Sequence, residues 1–269
     1  MPETITLERM KTRACLWALI LFASCGATLA QNDAVVVKAV REPVAKSYRK
    51  MVEGMELFEQ RRDLAPNASL RFKLLPRRRG TPMDDIQLEV AADSRAIPLQ
   101  VAADRTFAIE RDRVALRENA KVMPNRKAGT MTWRADVRTP GLPPNVRRLG
   151  DLRLECEVGM KSGLISNYPA GFFGWLEELF KGPEFCHRPA PRYLFFAEQP
   201  LFSVTLIDGA RREVLPVDML YAGATRNAKW KQDKHCDCQV IYDHTYFVPL
   251  GDTSWPDDTL VVIEYMEGS

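Results

Sequence analysis

Several common signatures of catalysis are absent from this sequence of 269 residues. It has no Gly-x-Ser-x-Gly segment of a serine hydrolase, no His-Glu-x-x-His pair of a zinc protease and no phosphate-binding loop. Histidine, the side chain that most often transfers protons near neutral pH, occurs only three times. These absences favour a non-enzymatic protein that uses no cofactor.

The chain also has little net charge, which bears on the class of its partner. Lysine and arginine total 38, aspartate and glutamate total 35, and without residues 1–30 the net charge is about +2. Arg77-Arg78-Arg79 is a basic cluster, but Gly80 and Pro82 follow it, as in a solvated turn. Because no basic stripe with interleaved aromatic residues is present, we expect no nucleic-acid binding.

The marked apolar run near the N-terminus is too short to cross a bilayer, which takes about 20 residues. Residues 14–23 are apolar except for Cys15, and they follow the basic residues Lys11 and Arg13. Small residues then occupy most of positions 24–30. This order is that of a secretory signal peptide, so we expect an exported protein.

Two cleavage sites compete within this signal. Thr28-Leu29-Ala30 suits ordinary signal peptidase and would leave Gln31 first. Phe22-Ala23-Ser24-Cys25 resembles a bacterial lipobox, although Phe22 stands where that pattern has Leu, and it would lipidate Cys25. The first site predicts a periplasmic or secreted protein, and the second predicts one anchored by lipid to the outer membrane.

Hydrophobic periodicity predicts one N-terminal helix followed by many strands. In residues 44–62 apolar side chains recur on one helical face, and Glu42-Pro43 suits the first turn. From residue 69 the period changes to two, which is typical of strands with one buried face. The predicted strands are 70–75, 86–91, 97–101, 106–109, 130–133, 152–158, 194–196, 202–207, 246–250 and 259–266.

Short strands at this spacing predict a mainly β chain folded as a β-sandwich, with one or two immunoglobulin-like layers. Proline and glycine become dense in residues 160–192, where Phe172 to Lys181 carry a helical pattern. The predicted divisions are a signal peptide (1–30), an N-terminal helical segment (31–66), a β-sandwich region (67–159), a Pro/Gly-rich insertion with a short helix (160–192) and a C-terminal β region (193–269).

Beyond residue 30 the chain has four cysteines, Cys156, Cys186, Cys236 and Cys238. An even number in an exported chain predicts disulfides. A bridge between Cys236 and Cys238 would close a very small, strained ring, so we expect Cys156 and Cys186 each to pair with one of them. The sequence does not choose between the two arrangements.

A metal site is the alternative use of these cysteines. His187 and His235 each adjoin a cysteine, and imidazole together with thiolate binds zinc or copper. The ligands would be His187, His235, Cys236 and Cys238. The Cys-x-x-Cys spacing of zinc knuckles is absent, and an oxidising compartment favours disulfides over thiolates, so we prefer structural bridges.

The sequence therefore predicts an exported cell-envelope or secreted protein that binds or assembles with a protein or glycan of the envelope. Membrane contact would come only through a lipid at Cys25. The alternative is an envelope hydrolase whose acid–base groups are Asp243 and His244. Asp257-Asp258 offers a further carboxylate pair, although aspartates in such a segment are expected in turns for backbone reasons.

Overall fold

The structure, a computed structural model, describes residues 44–77, 80–164, 182–188, 193–221 and 242–267. All of these residues belong to one unit, Val35–Ser269. Outside the described residues lie the predicted signal peptide with Cys25, the predicted helix Phe172 to Lys181 and the segment with His235, Cys236 and Cys238.

The described chain is mainly β, as predicted. Its strands are β1 (Lys46–Ser47), β2 (Ser69–Pro76), β3 (Leu88–Ala91), β4 (Ala96–Leu99), β5 (Thr106–Phe107), β6 (Lys121–Pro124), β7 (Met131–Arg138), β8 (Val146–Arg148), β9 (Phe195–Phe196), β10 (Leu201–Asp208), β11 (Arg211–Val214), β12 (Thr245–Tyr246) and β13 (Leu260–Tyr265). They pair antiparallel in sheets ordered β1-β6-β3-β4, β5-β2-β7, β11-β10-β13-β8 and β12-β9.

Three α-helices accompany these strands in the described ranges: α1 (Tyr48–Gln60), α2 (Arg113–Arg117) and α3 (Leu149–Lys161). None of the helices that the structure describes is long and apolar enough to span a membrane.

Helix α1 confirms the predicted N-terminal helix. Ser47 is its N-cap, because its hydroxyl accepts a hydrogen bond from the Lys50 amide at 3.3 Å. A Cβ on Gly54 would overlap the Ser162 hydroxyl and lie 3.2 Å from the Val158 carbonyl oxygen, so glycine allows α1 and α3 to approach closely. The buried apolar face of α1 includes Tyr48, Met51, Val52 and Phe58.

Helix α3 replaces a predicted strand, so the prediction of a strand over 152–158 is wrong. The alternation of Asp151, Glu155 and Glu157 with apolar residues resembled a strand with a solvated face, but all three carboxylates are buried. Their partners are Thr139 for Asp151, Arg147 for Glu155, and Arg61 for Glu157. A helix that is buried nearly all round has no clear amphipathic period, so periodicity could not distinguish it from a strand.

Buried apolar side chains form two large cores. One joins α1 to sheets β1-β6-β3-β4 and β5-β2-β7, and it includes Phe72 and Trp133. The other joins α3 to sheet β11-β10-β13-β8, and it includes Val204 and Trp255. A smaller cluster lies between α1, β7 and α3 and includes Val137.

Candidate functional site

The sheet β5-β2-β7 has one apolar face and one charged face. Phe72 and Leu74 enter the core, so the residues between them face the other way. The strand register places Arg71 opposite Asp136, and Lys73 between Thr106 and Arg134. Because directly opposed side chains on one face are neighbours, these residues form a continuous charged surface.

A cleft of about 660 Å³ opens over this charged face. It is lined by β2, β7, the turn between β4 and β5, and the residues that follow β9. A volume of this size lies in the range of small-molecule sites. The polar lining residues are Ser69, Arg71, Lys73, Asp104, Arg105, Asp136, Arg138, Glu198 and His244.

Ion pairs hold two of the acidic side chains of the cleft. Lys73 Nζ lies 2.9 Å from each carboxylate oxygen of Glu198. Arg138 Nε donates to Asp136 Oδ1 at 2.9 Å, and Arg138 Nη2 donates to Glu198 Oε1 at 3.4 Å. The four side chains therefore alternate in charge and present fixed donors and acceptors to the cleft.

The third acidic side chain, Asp104, belongs to the turn before β5. Its Oδ1 accepts hydrogen bonds from the Thr106 amide at 3.0 Å and the Thr106 hydroxyl at 2.7 Å. Burial acts to raise the pKa of Asp104, but these hydrogen bonds and the positive charges of Lys73 and Arg71 lower it below its ordinary value. Arg71 Nε donates to the same hydroxyl at 2.6 Å, which fixes its guanidinium.

His244, one of the two predicted hydrolase residues, lines the cleft. Its Nδ1 is 3.1 Å from the Ala197 carbonyl oxygen. A carbonyl only accepts, so Nδ1 carries the proton, and Nε2 is an acceptor when the ring is neutral. Asp243 Oδ1 lies 4.0 Å from Nε2, which is too far for a hydrogen bond. The predicted pair therefore lacks the acid–histidine hydrogen bond that orients a catalytic base.

The second predicted carboxylate pair, Asp257-Asp258, lies in the turn before β13, as expected for turn aspartates. Asp257 Oδ1 accepts from Arg153 Nη1 at 2.5 Å. Arg153 also donates to the carbonyl oxygens of Leu250, Asp252 and Trp255. These hydrogen bonds hold the turn against α3. Asp257 and Asp258 are not among the residues that line the cleft.

A buried ion pair joins three elements beside the cleft. Arg147 Nη2 on β8 donates to Glu155 Oε2 on α3 at 2.7 Å and to the Val137 carbonyl oxygen on β7 at 2.6 Å. Glu155 Oε2 also accepts from the Val137 amide at 3.0 Å. Both charged side chains share a cavity of about 30 Å³ with Lys73 and Glu198. The pair therefore fixes the end of β7 that carries the cleft lining.

Cys156 is bonded to Cys186, so the predicted pairing of each with Cys236 or Cys238 is wrong. The two Cα atoms are 6.0 Å apart and are separated by 30 residues in the chain. That prediction placed Cys156 on a strand, whereas it lies on α3 against the 3₁₀ turn Pro183–His187, which carries Cys186. Cys236 and Cys238 lie outside the described residues.

His187 adjoins this disulfide and is paired with a buried carboxylate. Its Nε2 is 3.1 Å from Glu157 Oε1, and Arg61 Nη1 is 3.1 Å from Glu157 Oε2. Across the described ranges, no three His, Cys, Asp or Glu side chains come together as metal ligands. His235, Cys236 and Cys238 are outside those ranges, so the metal alternative stays a prediction.

Most of the cleft lining is not among the residues that the sequence analysis identified. The missed residues include Arg71, Asp136, Arg138 and Glu198. One local signal could have found part of the site: Thr132, Arg134, Asp136 and Arg138 are polar at every second position. Such alternation is typical of a strand with a polar face.

Comparison with protein-family models, curated proteins and solved structures finds no match for this chain.

Proposed function

We propose that this chain is a non-enzymatic binding or assembly protein of the cell envelope or of the secreted fraction. Its partner is a protein or glycan of the envelope, and the cleft over β2 and β7 is the binding site. The observation that carries the proposal is the charged lining, in which Asp104, Asp136 and Glu198 are each held by a basic or hydroxyl neighbour. Such groups suit recognition, whereas a catalytic acid or base must exchange its proton with the substrate.

A β-sandwich with immunoglobulin-like layers is part of the proposal. The antiparallel sheets β1-β6-β3-β4 and β5-β2-β7 both contribute buried side chains to one apolar core, and β11-β10-β13-β8 contributes to a second core. Sheets that bury one face in a core are the building units of layered β folds, which supports this arrangement.

Export is proposed on two independent grounds. Residues 11–30 have the order of a signal peptide. The Cys156–Cys186 bond suits an oxidising compartment, because cytosolic reductants keep most thiols reduced. Mass spectrometry of the N-terminus from native cells should find Gln31, or else a lipidated Cys25. An intact Met1 or Met10 would contradict export.

Capture from native envelope extract tests the binding site. Ser69 is exposed and lines the cleft, so Ser69→Trp should obstruct it without disturbing the core. Thr253→Trp is the matched control, because Thr253 is exposed and lies outside the cleft lining. We expect the wild type and Thr253→Trp to capture the same ligand, and Ser69→Trp to lose it. Equal capture by all three proteins would contradict the cleft as the binding site.

An envelope hydrolase is the second candidate function, and the position of His244 favours it. An acceptor Nε2 at a cleft wall could take a proton from a bound hydroxyl or water. A broad screen of hydrolase substrates on the purified chain separates the two functions. Turnover that His244→Ala abolishes would establish the hydrolase and overturn the non-enzymatic proposal.

A further inference from the structure

The cleft lining has one more basic side chain than acidic ones among its Lys, Arg, Asp and Glu residues. Its acidic side chains are engaged by Lys73, Arg138 and the Thr106 hydroxyl. Arg71 and Arg105 also line the cleft, and in the described part of the chain neither forms an ion pair with a carboxylate. Arg71 Nε and Nη2 donate to the hydroxyl and carbonyl oxygens of Thr106 at 2.6 and 3.2 Å, which orients its Nη1 as the donor for a ligand. An arginine fork such as that of Arg105 presents two parallel donors that match a carboxylate. With this surplus and these two arginines, the cleft is suited to an anionic group that pairs with Arg71 and Arg105.

Arg105 occupies a backbone conformation that usually belongs to glycine. Its φ is +62°, in the left-handed region, where a side chain is disfavoured. The turn itself is held by bonds from the Arg105 amide to the Ala102 carbonyl oxygen and from the Leu74 amide to the Arg105 carbonyl oxygen. Glycine would satisfy both bonds equally well, so the turn does not explain the arginine side chain.

The geometry also discriminates between an extended peptide and a saccharide. A peptide that adds a strand needs an unpaired strand edge. Strand β2 pairs with β7 along its whole length and with β5 at Phe72 and Lys73. The edge strand β7 has its Val137 amide and carbonyl groups occupied by Glu155 and Arg147, so a peptide strand would find no continuous free edge in this described sheet. The alternating donors and acceptors of Lys73, Glu198 and Arg138 instead match hydroxyl groups, each of which donates and accepts.

We propose that the cleft binds a saccharide that carries carboxylate groups. Arg71 and Arg105 bind the carboxylate, and the network of Lys73, Glu198 and Arg138 binds the hydroxyl groups. The inference rests on the proposed function, because it specifies the ligand class of the same cleft.

Titration calorimetry of the full chain with hexagalacturonate, and with the same oligomer as its methyl ester, tests this proposal. Esterification removes the charge and keeps the hydroxyl groups. We expect the acid to bind and the ester to bind at least about tenfold more weakly. Arg105→Gly should weaken acid binding by a similar factor while the melting temperature stays equal or rises, since glycine suits the left-handed turn. Arg212→Gln, an exposed charge on β11 outside the cleft lining, should leave the affinity unchanged.

The contradicting results separate this proposal from the previous one. If acid and ester bind equally and Arg105→Gly has no effect, the proposal that the ligand carries carboxylate groups is wrong. The proposal that the cleft is a binding site would still stand. If neither oligomer binds, the saccharide proposal is wrong, and capture with Ser69→Trp decides separately whether the cleft binds another envelope partner. Equal weakening by Arg212→Gln would mean that the acid binds through non-specific charge and would likewise overturn the proposal.

Discussion

Arg147 and Glu155 are 4% and 7% exposed. Because a buried charge is unfavourable without a partner of opposite charge, each of the two side chains stabilises the other. Their shared partner is Val137, whose amide and carbonyl groups are both bonded by the pair. Removal of one member would leave the other charge buried and would release the backbone of β7. At the scale of single residues, the shape of the cleft therefore depends on a charged pair that does not line it.

Glu155→Ala tests this dependence. We expect it to lower the free energy of unfolding by about 3–5 kcal/mol, because the Arg147 charge stays buried without its partner. The double variant Arg147→Met/Glu155→Leu should lose clearly less than the sum of the losses of the single variants Arg147→Met and Glu155→Leu. Urea denaturation of the wild type, Arg147→Met, Glu155→Leu and the double variant measures this coupling, and the same measurement on Glu155→Ala gives the cost of the unpaired arginine. Additive losses would show that the two side chains do not stabilise each other.

A second buried carboxylate, Glu157, is expected to make the free energy of unfolding depend on pH. Burial raises its pKa above the ordinary 4.5, although the charges of Arg61 and His187 act to lower it, while that of Asp63 also raises it. When folding raises the pKa of a carboxyl group, that group favours the folded state most at pH values below its pKa in the unfolded chain. This stabilisation is lost as the pH rises through the higher pKa of the folded state.

Glu157→Gln, which cannot ionise, should remove this pH dependence. The free energy of unfolding of the wild type, relative to Glu157→Gln, should be greatest at about pH 4 and should fall as pH rises above 4.5. Denaturant titrations at several pH values measure the difference. A difference that grows with pH would show that the pKa of Glu157 is lowered in the folded protein.

At the scale of elements, α3 connects the parts of the fold. It contacts α1, β7, β8 and the 3₁₀ turn Pro183–His187, and its side chains supply Cys156 to the disulfide. The two glutamates described above also lie on it. A helix with this many buried polar contacts has no solvated face to mark its period, and this is why the sequence predicted a strand there.

The disulfide is expected to stabilise the fold through the loop that it closes. A bridge across 30 residues should contribute about 3–4 kcal/mol in the chain-entropy model. Replacing Cys156 and Cys186 together by alanine should therefore lower the melting temperature markedly. The double variant Cys236→Ala/Cys238→Ala is the control, because it keeps this bond.

Proteolysis without reduction should yield one peptide pair that joins Cys156 to Cys186. A peptide pair that joins Cys156 to the Cys236–Cys238 segment would contradict this connectivity. It would instead support the pairing that the sequence alone suggested.

Elements with a clear local pattern could be predicted from the sequence. Helix α1 has one apolar face, and the sequences of β2 and β10 have apolar residues at every second position, so all three were located correctly. The burial of β10 itself does not alternate, because a register shift between Leu201 and Ser203 leaves Phe202 exposed. Strands β6 (Lys121–Pro124) and β8 (Val146–Arg148) were missed because neither short sequence alternates: the apolar residues of β6 are adjacent, and β8 has two consecutive arginines. Such short strands depend on their neighbours more than on their own sequence.

At the scale of the whole molecule, the cleft arises from long-range strand pairing. Arg71 and Asp136 are adjacent only because β2 pairs with β7, and Lys73 meets Glu198 across 125 positions of the chain. No local pattern fixes those pairings, so the sequence predicted a binding protein but not its site. His244 is the one predicted functional residue that the described structure places in the cleft.

Hydrogen exchange of the full chain, with and without ligand captured from envelope extract, tests the central claim most directly. The claim is that the cleft over β2 and β7 is the binding site. The ligand should slow amide exchange in residues 69–76 and in the exposed turn at 102–105, which line or adjoin the cleft, and leave β11 unchanged. Slowing confined to β10 and β11, with no change at 69–76 and 102–105, would contradict the claim.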